Sequence, residues 1–274
     1  MRPLEHKIAV VTGASRGAGR GIALVLGEAG ATVYLTGRSV RGQQTSELVG
    51  TTLEETAELM TERGGVGIPA RTDHTKDGEI EALFARVQDE RGQLDLLVNN
   101  AWGGYEDYDE TFDAPFWEQP LARFDKMFSA GVRASLVTTR AALPLLDSGS
   151  LVVNTTLEMD PTFYDSALFY RTAKVALNYL TFGMARDLRQ AERDVAVLGV
   201  APGWLRTEAL LEDIKRGKLT PGDLEQTEST EYIGRAVFAL ASDPDVLTKS
   251  GQILRTRDLA REYEFTDVDG RQPI

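Results

Sequence analysis

A short apolar run at residues 7–11 meets the glycine-rich stretch TGASRGAGRG, and a helical pattern opens inside that stretch. A strand that turns through glycines straight into a helix leaves few architectures open. Glycine tolerates the left-handed backbone and the close approach that such a turn requires. The spacing Gly13-x3-Gly17-x-Gly19 gathers backbone amides at the start of the helix, the arrangement that cradles a dinucleotide pyrophosphate. Taken alone, the same spacing also fits an ordinary strand-to-helix turn.

The alternation continues along the chain. Strands are predicted at residues 32–35, 66–70, 94–99, 150–154, 195–200 and 251–254, and helices at 18–30, 53–63, 78–91, 121–146, 167–191, 208–218 and 232–241. Residues 38–51 read as a polar loop. Alternating elements of this kind demand parallel strands and right-handed crossovers, so the expected fold is α/β, a doubly wound parallel sheet with helices on both faces. With no internal repeat or linker, the 274 residues are expected to form one domain, 1–274. An aromatic insert lies near 101–120 and a variable region near 205–230.

A formal net charge of -12 argues against nucleic acid or an anionic membrane surface as a partner. No stretch has the length needed to span a bilayer, and MRPLEHKIAVVTG has no secretory pattern, so a cytoplasmic protein is expected. The chain has no cysteine, which excludes disulfides, thiolate ligands and a cysteine nucleophile. Its two histidines, His6 and His74, lack partners at metal-ligand spacing, and no metal site is expected. GxSxG and P-loop patterns are absent, which removes the main hydrolase and kinase readings.

Tyr170 and Lys174 stand four residues apart in FYRTAKVALNYL, on one face of a predicted helix. An ammonium held near a phenol favours the phenolate, drawing a reference pKa of about 10 toward neutrality and making a proton donor. Joined to a dinucleotide turn, the pair suggests hydride transfer to or from a carbonyl, imine or alcohol. The second strand ends at Gly37, where a carboxylate would accept a ribose 2′-hydroxyl, and Arg38 follows, with Arg16 in the glycine turn. Two guanidinium groups suit a 2′-phosphate. NADP(H) is therefore the expected cofactor and NAD(H) the alternative.

The motifs TGASRGAG, NNA, YRTAK and PGWLRT occur in the order and at the separations of the short-chain dehydrogenase/reductase family, which the chain resembles over about residues 5–255. GRGIAL, LDLLVNNAWGG, PGWLRTEAL and the tail SGQILRTRDLAREYEFTDVDGR are similar to its dehydrogenase/reductase member 1-like branch. The resemblance implies a seven-stranded Rossmann sheet, an NAD(P)(H) cofactor, and a homodimer or homotetramer built on two long helices. It also implies that Gly13, Gly17 and Gly19, with Ser15 and Arg16 in the same turn, bind the cofactor's phosphates. Asp73 would meet the adenine edge, Asn99 and Ala101 would line the cleft, and Pro202, Gly203 and Thr207 would border the nicotinamide. Lys174 would bridge to the ribose hydroxyls, and Tyr170 would be the general acid in reduction or the base in oxidation.

Two positions depart from that pattern. The family's serine, thirteen residues before the tyrosine, falls on Leu157, which has no hydroxyl. Thr156 is the candidate replacement, with Thr155 and Tyr164 behind it; the two threonines equally suit the end of a strand. The family's asparagine in the long helix, which bends it and anchors a water connected to the lysine, falls on Gly131. Losing one positioned oxyanion donor costs roughly 3–4 kcal/mol. The expected protein is an NADP(H)-dependent oxidoreductase with an atypical catalytic set. Its rivals are a dinucleotide-binding regulatory or redox-sensing protein and a non-redox dehydratase or epimerase.

Trp102, Tyr105, Tyr108, Phe112, Phe116 and Trp117 crowd the segment after the fourth strand, and Trp204 follows Pro202-Gly203. In the family's geometry, the regions carrying Trp102, Tyr164 and Trp204 border the substrate cleft. Aromatic walls there would suit a bulky, ring-containing small molecule. Phe116 and Trp117 are expected to anchor the insert in the core. Glu158, Asp160 and Asp165 put negative charge near the expected mouth, suiting an amine substrate or simply a solvated loop.

Overall fold

The structure is a computed structural model that describes residues 2–45, 51–104, 111–160, 164 and 166–273. Its strands are β1 (Ile8–Thr12), β2 (Thr32–Gly37), β3 (Val66–Arg71), β4 (Leu94–Asn99), β5 (Leu146–Thr155), β6 (Ala196–Ala201), β7 (Leu205–Arg206), β8 (Glu228–Ser229) and β9 (Ile253–Arg255). Its helices are α1 (Gly17–Glu28), α2 (Leu53–Glu62), α3 (Asp77–Arg91), α4 (Leu121–Met127), α5 (Ala134–Ala142), α6 (Leu168–Gln190), α7 (Glu208–Lys215), α8 (Thr230–Ser242) and α9 (Thr256–Glu262).

The central strands are apolar throughout because both of their faces are covered. In β1, Ala9 and Val11 enter one core and Ile8 and Val10 the other, as the two-residue period of a strand requires. Leu26 of α1, Met60 of α2, Ile233 of α8 and Leu259 of α9 close the first core. Phe84 of α3, Ala142 of α5 and Leu188 of α6 close the second. Each fully buried Leu, Ile, Met or Phe side chain contributes about 1.5–3 kcal/mol.

The sheet is seven-stranded and parallel, in the order β3-β2-β1-β4-β5-β6-β9, with β7 and β8 as a separate parallel pair. Strand order reverses at β1, so a crevice opens beyond the carboxyl ends of β1 and β4. The register pairs Thr12 with Thr36, Asn99 with Asn154 and Thr155 with Val200. The polar strand ends therefore meet along one edge.

Four expectations need correction. The pattern at 121–146 is not one helix. α4 passes through a π-helical turn, Phe128–Arg133, into α5, and a 3₁₀ turn containing Pro144 then ends the helical run. β5 consequently starts at Leu146, four residues earlier than its apolar pattern suggests, because Asp147, Ser148 and Gly149 are exposed. The tail carries α9, where only a strand was expected. Phe116 and Trp117 do not anchor the insert: they are 55% and 71% exposed and pack edge-to-face on each other. Tyr105 and Tyr108 lie outside the described residues. Among the described residues, no helix is long and apolar enough to cross a membrane.

α1 crosses α8 at glycines. A Cβ at Gly21 would stand 2.0 Å from the Thr230 carbonyl oxygen, which is backbone and cannot step aside. Gly78, in the first turn of α3, has nothing within 4 Å of a built Cβ. Gly21→Ala is expected to cost about 1–3 kcal/mol, whereas Gly78→Ala should be neutral or gain up to about 1 kcal/mol. Thermal unfolding of the two variants would show this, and equal melting temperatures would contradict it.

Candidate functional site

The glycine turn is locked to the end of β4. Thr12 Oγ1 accepts from the amides of Asn100 and Ala101, each at 2.8 Å, and Asn100 Nδ2 donates to the carbonyls of Thr12 and Gly13 at 2.9 and 3.2 Å. Gly13 and Gly17 have φ of +67° and +58°, and a Cβ at Gly19 would lie 2.3 Å from the Gly13 oxygen. Ser15 is buried in the same turn, and Arg16 is half-buried just before α1. The Gly17 amide donates to Glu208 Oε2 at 2.8 Å, with Arg20 Nη1 3.9 Å from the other carboxylate oxygen. The turn thus holds an anionic oxygen supplied by the first residue of α7.

At the ends of β2 and β3, Arg38 and Asp73 share one side of the crevice. Burial pushes the Asp73 carboxyl up, but the Thr75 amide and hydroxyl, at 3.0 and 2.7 Å, and the Arg38 charge hold it below the ordinary value. His74 beside it is buried, between the Thr36 and Thr138 hydroxyls at 2.6 and 3.1 Å, and burial lowers it to about 4. Among the described residues, no group of three or more His, Asp or Glu is placed to hold a metal ion.

One face of α6 is bonded to the end of β5. Lys174 Nζ donates to the Thr155 carbonyl at 3.2 Å, and Asn178 Nδ2 to the Leu157 carbonyl at 2.9 Å. Asn154 Nδ2 donates to Thr181 Oγ1 at 2.8 Å and accepts from Asn99 Nδ2 at 2.9 Å. Thr156 Oγ1 donates to Asn178 Oδ1 at 2.5 Å, while its methyl faces Gly199. Thr155 Oγ1 reaches Asn100 Oδ1 at 3.3 Å. Asn178 and Thr181 are site residues that the sequence analysis missed, although both continue the spacing of Tyr170 and Lys174.

Tyr170 stands against aromatic rings: Trp102 edge-on at 5.6 Å between ring centres and Phe112 at 6.1 Å. Lys174 Nζ lies 3.8 Å from the Trp102 ring centre and 5.6 Å from that of Tyr170. Burial lowers the Lys174 ammonium to about 7. Tyr164 and Trp204 are 60% and 45% exposed. Glu158 is ion-paired with Arg255 at the end of β9, so its charge is already answered; Asp165 lies outside the described residues.

Beyond β6, the Pro202-Gly203 turn is tied to β8. The Gly203 amide donates to Glu228 Oε1 at 3.0 Å, and the Glu228 amide donates to the Trp204 carbonyl at 3.0 Å. Thr207 caps α7, its hydroxyl accepting from the Leu210 amide at 3.3 Å. Burial raises the Glu228 carboxyl to about 7; the Gly203 amide opposes the shift and the Asp267 charge adds to it.

A parallel sheet whose order reverses beneath an anion-holding glycine turn is the architecture of a dinucleotide-binding α/β enzyme. Residues 7–216 match the family model described as short chain dehydrogenase. Dehydrogenase/reductase SDR family member 1 of Mus musculus is 35% identical over 283 residues, covering 98% of this chain and 85% of the mouse protein. The chain belongs to the short-chain dehydrogenase/reductase family, whose members are oxidoreductases that bind a nicotinamide dinucleotide. A short-chain dehydrogenase of Mycobacterium thermoresistibile shares the fold with a TM-score of 0.83, at 22% identity over 99% of this chain and 92% of that one. Another, from Burkholderia cenocepacia J2315 in complex with NADP, has a TM-score of 0.72 at 26% identity, over 92% and 97% of the two chains.

Glu228 gives the fold a pH dependence. Its folded-state pKa lies above its unfolded value, so folding favours the protonated carboxyl; that contribution is complete below the unfolded value and is lost as pH rises through about 7. Glu228→Gln keeps an oxygen for the Gly203 amide without a titrating charge. Its stability relative to the unmodified protein should rise between pH 5 and pH 8, by on the order of 3 kcal/mol. Melting curves across that range would reveal a pH-independent difference if the idea is wrong.

Proposed function

We propose that the protein is an NADP(H)-dependent oxidoreductase moving a hydride between nicotinamide and a carbonyl/alcohol or imine/amine substrate, with Tyr170 as general acid/base beside Lys174. The observation that carries this reading is the bonded α6–β5 face, which sets the pair at the same sheet edge as the glycine turn. Gly13, Ser15, Gly17 and Gly19 hold the pyrophosphate, a role supported by the Gly17 amide's grip on a carboxylate. Arg16 and Arg38 take the 2′-phosphate, Asp73 the adenine edge, and Asn99 and Ala101 line the cleft. Pro202, Gly203 and Thr207 border the nicotinamide side. NADP in the Burkholderia complex supports the phosphorylated cofactor.

The bound nicotinamide supplies or accepts the hydride. Tyr170 gives its phenolic proton to the substrate oxygen or nitrogen in reduction and takes one up in oxidation. Lys174 holds the ribose hydroxyls and, when charged, favours the phenolate. Thr156 serves as the oxyanion donor only by releasing Asn178, since one hydroxyl has one proton to give. Trp102, Tyr164 and Trp204 form the wall toward a ring-containing substrate. Leu136 on α5 and Val175, Tyr179 and Phe182 on α6 are exposed, a face suited to a homodimer or homotetramer. The acidic, cysteine-free chain fits a cytoplasmic setting.

A second reading, a dinucleotide-binding regulatory protein, is favoured by Leu157 and by the engagement of Thr156 with Asn178. The two separate on turnover. NADPH consumption with a panel of aldehydes, ketones, quinones and imines should be present and should vanish in Tyr170→Phe, whereas tight NADPH binding with no turnover establishes the second reading. Arg38→Ala should weaken NADPH about tenfold or more and leave NADH affinity unchanged.

Glu208 supplies a further check on the pyrophosphate site. Its carboxylate must leave the Gly17 amide before a phosphate oxygen can take it. Glu208→Ala should therefore tighten NADPH binding, roughly two- to tenfold. Weaker binding in a fluorescence titration would place the pyrophosphate elsewhere.

A further inference from the structure

Trp102 is the first residue after Asn99-Asn100-Ala101, and its indole lies against the π-helical turn between α4 and α5. A Cβ at Gly131 would stand 2.5 Å from Trp102 Cζ3 and 2.6 Å from Cε3, so a side chain at 131 and this indole exclude each other. The same ring covers Lys174, whose Nζ is 3.8 Å from its centre, within the range of a cation–π contact. Around that nitrogen, α6 contributes the Tyr170 ring, β5 the Thr155 carbonyl, and the segment after β4 the indole. Burial lowers the lysine's pKa, with no charged neighbour resolved as a further cause among the described residues.

We propose that Trp102 and Gly131 act as one unit replacing the asparagine of the family pattern: the indole fills the space beside Lys174 and holds its ammonium by the π face. The proposal rests on the Tyr170–Lys174 reading and deepens it. Trp102 is a positioning residue that acts through Lys174 and, by its edge-on contact, through Tyr170. Burial favours the neutral amine and the π face favours the ammonium. Their balance sets a charge that changes near neutral pH, within reach of the proton donor.

The apoprotein reads this directly. In a Glu228→Gln background, which removes the carboxyl that titrates at about 7 beside Trp204, its tryptophan emission should pass through a transition near pH 7 that disappears in both Trp102→Phe and Lys174→Met. Gly131→Asn alone should melt well below the unmodified protein, while Trp102→Gly with Gly131→Asn should recover most of the loss. The pH midpoint of NADPH affinity, followed by NADPH fluorescence, should rise by about one unit or more in the double variant, where the lysine regains polar surroundings. In Trp102→Leu, which keeps the site dry without a π face, that midpoint should fall. A tryptophan transition that survives in either single variant, or midpoints that stay put in both Trp102→Leu and the double variant, would overturn the proposal. If the double variant fails to fold, the emission titration and Trp102→Leu still decide it. Neither readout needs turnover, so an inactive protein with an intact transition would defeat the oxidoreductase reading and leave this one standing.

Discussion

The carboxyl end of β5 is held by one face of α6, and the site's geometry follows from that bond set. Lys174, Asn178 and Thr181 take the Thr155 carbonyl, the Leu157 carbonyl and the Asn154 amide, and Asn154 passes the chain on to Asn99 at the end of β4. These groups are buried or nearly so, and a buried polar atom that loses its partner costs about 1–3 kcal/mol. The ladder therefore fixes the helix in rotation as well as in distance. Tyr170, one turn before Lys174, takes its orientation from this ladder.

Steric exclusion does the equivalent work at the glycine turn. Gly19 is pressed on the Gly13 carbonyl, and Gly21 on the Thr230 carbonyl, so α1 is set against both the turn and α8 by backbone contact. The Asn100 side-chain amide and the Thr230 Cβ crowd the same two points, and the start of α1 cannot drift. That rigidity leaves the Gly17 amide pointing outward with a carboxylate from α7 upon it. α7 is in this way attached to the glycine turn through a contact that an anion can replace.

Period and spacing made most of this legible. Two-residue alternation along β1 and unbroken apolar runs in the inner strands identify a doubly covered parallel sheet, and glycine and tyrosine–lysine spacing point to the candidate site. The sequence could not reveal the π-helical turn at Phe128–Arg133, because one added residue per turn barely alters the apolar pattern. Nor could it place Phe116 and Trp117, since a large aromatic side chain suits either a core or an exposed patch, and only tertiary packing decides. Asn178 was hidden for another reason. Nothing in the residue type distinguishes an amide bonded to a strand end from one facing water. Early β5 was missed because Asp147, Ser148 and Gly149 look like a turn, yet Leu146 is paired with Leu94.

The same tertiary view recasts the two departures from the family pattern. Viewed singly, Leu157 and Gly131 are losses of polar function. In the fold, Gly131 is the condition for an indole to lie over Lys174, and the hydroxyl nearest Leu157, that of Thr156, is spent on Asn178, which itself supports the Leu157 carbonyl. The polar groups of Thr156 and Asn178 thus fix the backbone at the end of β5, while the lysine's immediate surroundings are aromatic. A dry lysine is easier to neutralise than a hydrated one, but an amine beneath a π face keeps its charge better than one beneath alkane. The chemistry open to Tyr170 then depends on which of those two effects prevails at the working pH.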